Sequence, residues 1–225
     1  MVAEVDEWIP KHFDDSLVYP TVTAASSHSV TWGLPAVFTD PGCRIIVYVA
    51  EDMPGMLEWL DSPELRAAID DGTEREAQVI PVDGDPFTGN IYGVREVRNE
   101  LGTEFPPGGG IYIERYEVDE GSAGEFDAWL DGPRLDAVSA WPGAVRARTW
   151  VQNRDVPRRF PYDRYVSQGN RMLSVDFAAE ADLRALLGNE DAWSAIADSA
   201  QWDLRLPYVR REAGEQLLVR YPPAG

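Results

Sequence analysis

Residues 111-IYIERYEV-118, 122-SAGEFDAWLDGPRLDAVSAW-141, 144-AVRARTWV-151 and 171-RMLSVDFA-178 decide the fold. The first has the short, β-branched and aromatic composition of a strand. The second carries apolar residues in helical rhythm at Phe126, Trp129 and Leu130, with Ser122 as N-cap and Glu125 three residues on. The third and fourth are strands flanking a polar loop rich in Arg and Pro. A helix across 180-EADLRALLGNEDAWSAIAD-198 and a strand around 204-LRLPYVRRE-212 complete βαββαβ, the order of a ferredoxin-like unit.

Upstream, 98-RNELGTEFPPGGG-110 has the composition of a connecting segment. Before it, the same order recurs. The stretch 4-EVDEW-8 matches 125-EFDAW-129, Pro20 matches Pro142, and 57-LEWLDSPELRAAI-69 matches 184-RALLGNEDAWSAI-196. Tyr92 to Glu96 sits where Tyr208 to Glu212 sits. The first copy opens in its helix with no strand before Glu4, while 215-EQLLVRY-221 resembles 111-IYIERYE-117. The sequence therefore predicts a circularly permuted tandem repeat of α+β class. Its parts are a ferredoxin-like unit over 1–97 completed by strand 215–221, a linker over 98–110, and a second unit over 111–214. Two sheets in one chain can face each other and close a barrel internally, so a monomer suffices, and a homo-oligomer through other surfaces stays compatible.

The 225 residues carry a formal charge of −19, which opposes binding to nucleic acid or an anionic membrane. The single cysteine, Cys43, forms no internal disulfide. No apolar run reaches the roughly 18 residues of a spanning helix, and MVAEVDEWIP lacks the pattern of a signal peptide, so a cytoplasmic protein is expected.

The segment 125-EFDAWLDGPRLDAVSAWPGAVRARTW-150 resembles the dimeric α/β-barrel pattern, in which an acidic helix start leads through Trp to a His, then to Pro-Gly and a strand. That superfamily includes cofactor-independent quinone-forming monooxygenases, polyketide cyclases, ether-degradation proteins and small lyases, so the resemblance fixes no reaction. It implies a pocket between each sheet and its helices, lined by aromatics, with a His as acid or base. By position that His is His12, eight residues before Pro20; Arg134 holds the matching place, eight before Pro142.

His28 lies on the strand 23-TAASSHSVTW-32, whose alternation puts Ala24, Ser26, His28, Val30 and Trp32 on one face. The matching face of the second copy carries the bulkier Arg146, Arg148 and Trp150, which favours a pocket in the first. His12 and His28 are the candidate acid and base, with Tyr19 or Tyr48 polarising an oxygen. Trp8, Trp32 and Tyr48 are candidate walls for an aromatic ligand, and Asp52 a residue to orient a histidine or cap a helix. Arg134, Arg148 and Trp150 are candidates for a secondary site, and Arg134, Arg148 and the loop arginines Arg154, Arg158, Arg159 and Arg164 either grip a carboxylate or offset an acidic surface. Two histidines with scattered carboxylates fall short of a metal signature, and no glycine-rich phosphate loop opens a helix, so neither metal nor cofactor is expected.

The expected activity is cofactor-independent lyase, cyclase or isomerase chemistry on a small apolar, aromatic or polyketide-like molecule. The alternatives are a cofactor-independent monooxygenase and a non-catalytic small-molecule binder.

Overall fold

The helices and strands follow the sequence order closely. A computed structural model describes residues 2–34, 44–67, 90–100, 105–154, 169–189, Trp202 and 205–223, with only the backbone for 2–8 and 32–34. Along the chain come α1 (Val2–Leu17), β1 (Val22–Leu34), β2 (Arg44–Ala50), α2 (Met53–Leu60) and β3 (Tyr92–Arg98). After the linker come β4 (Gly110–Glu117), α3 (Ala123–Trp129), a π-helical turn (Leu130–Arg134), α4 (Leu135–Ser139), β5 (Ala144–Gln152), β6 (Arg171–Phe177), α5 (Glu180–Leu187) and β7 (Tyr208–Arg220). Cys43, Arg158, Arg159, Arg164 and the expected helical residues 190–198 lie outside the described residues.

The described strands form one antiparallel sheet in the order β2-β1-β7-β4-β6-β5-β3. Within it, β7-β4-β6-β5 is the ferredoxin-like arrangement of a βαββαβ unit, in which the strands before and after the first helix run parallel with a third between them. Helices cover one face. Phe126, Leu130, Leu135 and Val138 pack there on Tyr112, Tyr116, Ala147, Leu173 and Phe177 in a continuous core. The widened turn coincides with Pro133, which has no N–H to give to an α-helical ladder, and on either side of it both Leu130 and Arg134 are buried. Among the described residues the other face carries no helix, yet Arg146, Arg148, Ser174, Asp176 and Glu212 on it are buried, as a curled half-barrel sheet requires.

The C-terminal residues pair beside β1, the strand of the first half that carries His28. Ala25 pairs with Arg220, Ser26 with Val219, Ser27 with Leu218 and His28 with Gln216. The manner differs from the expectation. The strands expected at 204–212 and 215–221 are one strand, β7, continuous through Ala213 and Gly214. It lies directly beside β1 and antiparallel to it, whereas a strand in the first position of a ferredoxin-like unit runs parallel to the strand after the helix. Residues 215–221 are therefore an extension of the second unit's last strand onto the first unit. The exchange is mutual: β3, the last described strand of the first half, pairs with β5 of the second, from Tyr92 opposite Gln152 to Arg98 opposite Ala147.

Candidate functional site

In the first half, α1 turns Ile9, His12, Phe13, Ser16 and Leu17 onto the sheet, all of them buried. Ser16 donates to the His12 carbonyl at 2.8 Å, one turn back. Tyr48 of β2 is the centre of this layer: its ring meets His12 edge-on at 5.8 Å, Phe13 at 5.5 Å and Trp59 at 4.9 Å. Trp59 comes from α2, which the Asp52 carboxylate starts by accepting from the Gly55 N–H at 2.7 Å. Gly55 lets α2 dock closely, since a Cβ there would stand 2.7 Å from Thr21 Cβ. Tyr19 packs beside Leu17, Val22 and Trp59; burial together with the Glu58 and Glu64 carboxylates raises its pKa, so it stays a neutral phenol. Trp59 Nε1 and Ser27 Oγ are buried and hydrogen-bond to nothing among the described residues.

His28 does not join this cluster. Ala25 packs against Ile9 and Phe13, so the alternation of β1 sends Ser27 to the helix side and Ser26 and His28 to the other. The register agrees: Val30 is opposite Gly214, next to Ala213, which belongs to the helix-side core. The sheet therefore separates the two histidines expected to work as a pair. His28 instead meets the ring of Phe105 at 6.2 Å, and burial, opposed only by a backbone hydrogen bond at Ile45, lowers its pKa to about 4. It is a neutral imidazole at neutral pH, not a group titrating there.

The second half fills the corresponding layer. Arg134 is held by Glu114, accepting at Oε2 from Nε at 3.1 Å and at Oε1 from Nη2. The Tyr112 and Tyr116 hydroxyls donate to the same carboxylate at 2.8 and 2.5 Å. Burial alone would raise the Glu114 pKa, but Arg134, Arg211 and the Tyr116 hydrogen bond together hold it below the usual range. Burial and the Glu114 charge push both tyrosines well up. This is a closed ionic core with no proton to exchange at neutral pH. Arg148 and Trp150 lie on the opposite face: Arg146 and Arg148 both reach Asp176, at 2.8 and 3.3 Å, Arg148 stacks on Trp150 at 4.6 Å, and Trp150 donates to Ser174 at 2.9 Å.

Among the expected residues, His12 and Tyr48 meet, Tyr19 packs against the same apolar cluster as Tyr48, and Asp52 is an exposed helix cap. Trp8 and Trp32 lie on α1 and β1, with side chains outside the described residues. Trp59, Phe105 and Glu114 went unrecognised. Glu114 was readable: period-two alternation puts it between Tyr112 and Tyr116 on the face turned to Arg134.

No family model and no curated protein matches the chain. Solved structures do. One, a candidate monooxygenase from Fusobacterium nucleatum subsp. nucleatum, superposes with TM-score 0.59 at 8% identity over 97% of this chain and 87% of that one. An anthrone oxidase-like protein gives 0.58 at 10% identity over 99% and 88%. A candidate monooxygenase from Lactobacillus acidophilus gives 0.50 at 8% identity over 98% and 91%. The likeness is one of fold: an α+β chain with a curled antiparallel sheet, whose β7-β4-β6-β5 order is ferredoxin-like.

Proposed function

We propose that this protein is a cofactor-independent enzyme acting on a small, neutral aromatic or polyketide-like molecule in the helix–sheet layer of its first half. The observation that carries the reading is the contrast between the layers. Where Arg134, Glu114, Tyr112 and Tyr116 satisfy one another in the second, the first holds His12, Tyr48 and Trp59 ring against ring, and two buried polar atoms on the helix side, Trp59 Nε1 and Ser27 Oγ, hydrogen-bond to nothing among the described residues. The internal repeat read from the sequence supports treating the layers as counterparts. Buried polar groups are hydrogen-bonded in nearly all proteins, and an exception marks strain, chemistry or a ligand.

His12 is the proton-transfer group in this reading, with Tyr48 and Trp59 stacking on the substrate and the indole N–H donating to an oxygen that gains charge. Lyase, cyclase or isomerase chemistry needs no more than this. A second reading, oxygenation of the same kind of substrate, is favoured by the names of the structural neighbours.

The test is turnover of a panel of aromatic polyketide-like compounds, followed with and without dioxygen. His12→Ala should lower turnover by a factor on the order of 100 to 10,000 with the fold intact. Turnover that persists without dioxygen supports proton transfer, and turnover that consumes it supports the second reading. Full activity in His12→Ala would defeat the site.

A further inference from the structure

We infer that the face of β1 turned away from the helices is a second binding site, separate from the His12 layer, which takes a neutral aromatic molecule through Ser26 Oγ and His28 Nδ1. Ser26 is fully buried and His28 is 1% exposed. Neither Ser26 Oγ nor His28 Nδ1 has a hydrogen-bond partner among the described residues. Standing two residues apart on one strand, they leave it on the same side, with backbones about 6.6 Å apart. An unpaired buried donor or acceptor keeps its desolvation cost without compensation, and two on adjacent same-face positions is an arrangement that packing alone does not favour.

The surroundings define the ligand. Ser26 is flanked across the sheet by Val47 and Val219, and His28 by Ile45 and Gln216. Gln216 is engaged, since its Oε1 accepts from the Gly108 N–H at 2.8 Å. No charged side chain stands at these four positions, so an ionised ligand group would lie buried beside the pair without a counter-charge. Among the described residues Phe105, 1% exposed, also meets the His28 imidazole with its ring. Its backbone is fixed from both sides by Tyr221, which accepts from the Phe105 N–H at 3.1 Å and donates to its carbonyl at 2.6 Å. The chain itself thus presents one aromatic ring to the imidazole. A flat molecule with a hydrogen-bonding group at each end matches what the two polar atoms and this ring offer together.

Titration of the full chain with 4-hydroxyacetophenone tests this, with ethylbenzene as the apolar and 4-hydroxybenzoate as the charged comparison, read on the His28 imidazole resonances. The expected result is a saturable shift with the neutral phenol that is weaker with either comparison compound. Ser26→Ala should weaken it about tenfold, the worth of one buried hydrogen bond, and His28→Leu, which removes that reporter, should weaken binding by the same factor when followed by tryptophan fluorescence, while Lys11→Ala at an exposed position of α1 leaves it in place. Without ligand, Ser26→Ala should raise Tm, because it removes an unpaired polar atom from a strand that already carries Ala24 and Ala25. This variant keeps the test readable should His28→Leu fail to fold. No shift up to the solubility limit, unchanged affinity in Ser26→Ala, or a fall in its Tm would overturn the site.

Discussion

Two buried residues with opposite ionisation show how position sets chemistry. His28 has an ordinary pKa of 6.5 and a folded one of about 4. Between those values the unfolded chain takes up a proton that the native state refuses, so the stabilisation is complete above pH 6.5 and is lost as the pH falls towards 4. The shift is worth about 3 kcal/mol. Urea unfolding of the wild type and His28→Leu across this range should show the wild type losing that much more; parallel pH profiles would contradict it. Glu114 behaves differently, being ionised and held by Arg134. Arg134→Ala should destabilise by about 3–5 kcal/mol, because it leaves a buried carboxylate facing two phenols without its main counter-charge. Denaturation midpoints of that variant decide the point, and a change under about 1 kcal/mol would show that Arg211 alone suffices to hold Glu114.

At the scale of elements, β7 makes the plainest demand. Gly214 sits where a Cβ would come within 2.8 Å of His28 Cβ and 3.1 Å of the Ser29 carbonyl, both fixed parts of β1. Gly214→Ala should therefore push the two strands apart and destabilise by about 1–3 kcal/mol, measured by thermal unfolding. At α2, Asp52→Ala should cost about 1 kcal/mol through its lost cap. The elements themselves were legible. The runs 111–118, 144–151, 171–178 and 45–50 lie within a residue or two of β4, β5, β6 and β2, because alternation and turn residues act locally. Two features were not. Nothing local distinguishes 204–212 and 215–221 as two strands or one; that depends on β1 and β4 both pairing with the stretch around Ala213. The side of the sheet on which each histidine falls likewise rests on the register between distant segments, although the alternation of Ala25 and His28 was visible in the sequence.

For the whole molecule, β7 pairs with both β1 and β4, and β3 pairs with β5, so the first and second halves share one sheet. Ion pairs reinforce it. Arg95 of β3 reaches Asp127 of α3 at 2.5 Å and Asp131 at 2.7 Å, and Arg98 reaches Asp136 of α4 at 2.9 Å. Unfolding should accordingly be a single transition seen alike by tryptophan fluorescence and far-ultraviolet circular dichroism. Two resolved transitions would mean that β7 and β3 do not couple the halves. A barrel assembled from two identical subunits receives every substitution twice, so a residue that improves one chamber alters the other as well. Here His12 and Arg134 are separate codons. One layer holds a closed ionic brace of Arg134 and Glu114 while the other holds His12, and β7, which pairs with β4 beneath the brace, also pairs with β1. A change at either position is thus made once, and the two layers can differ in their chemistry.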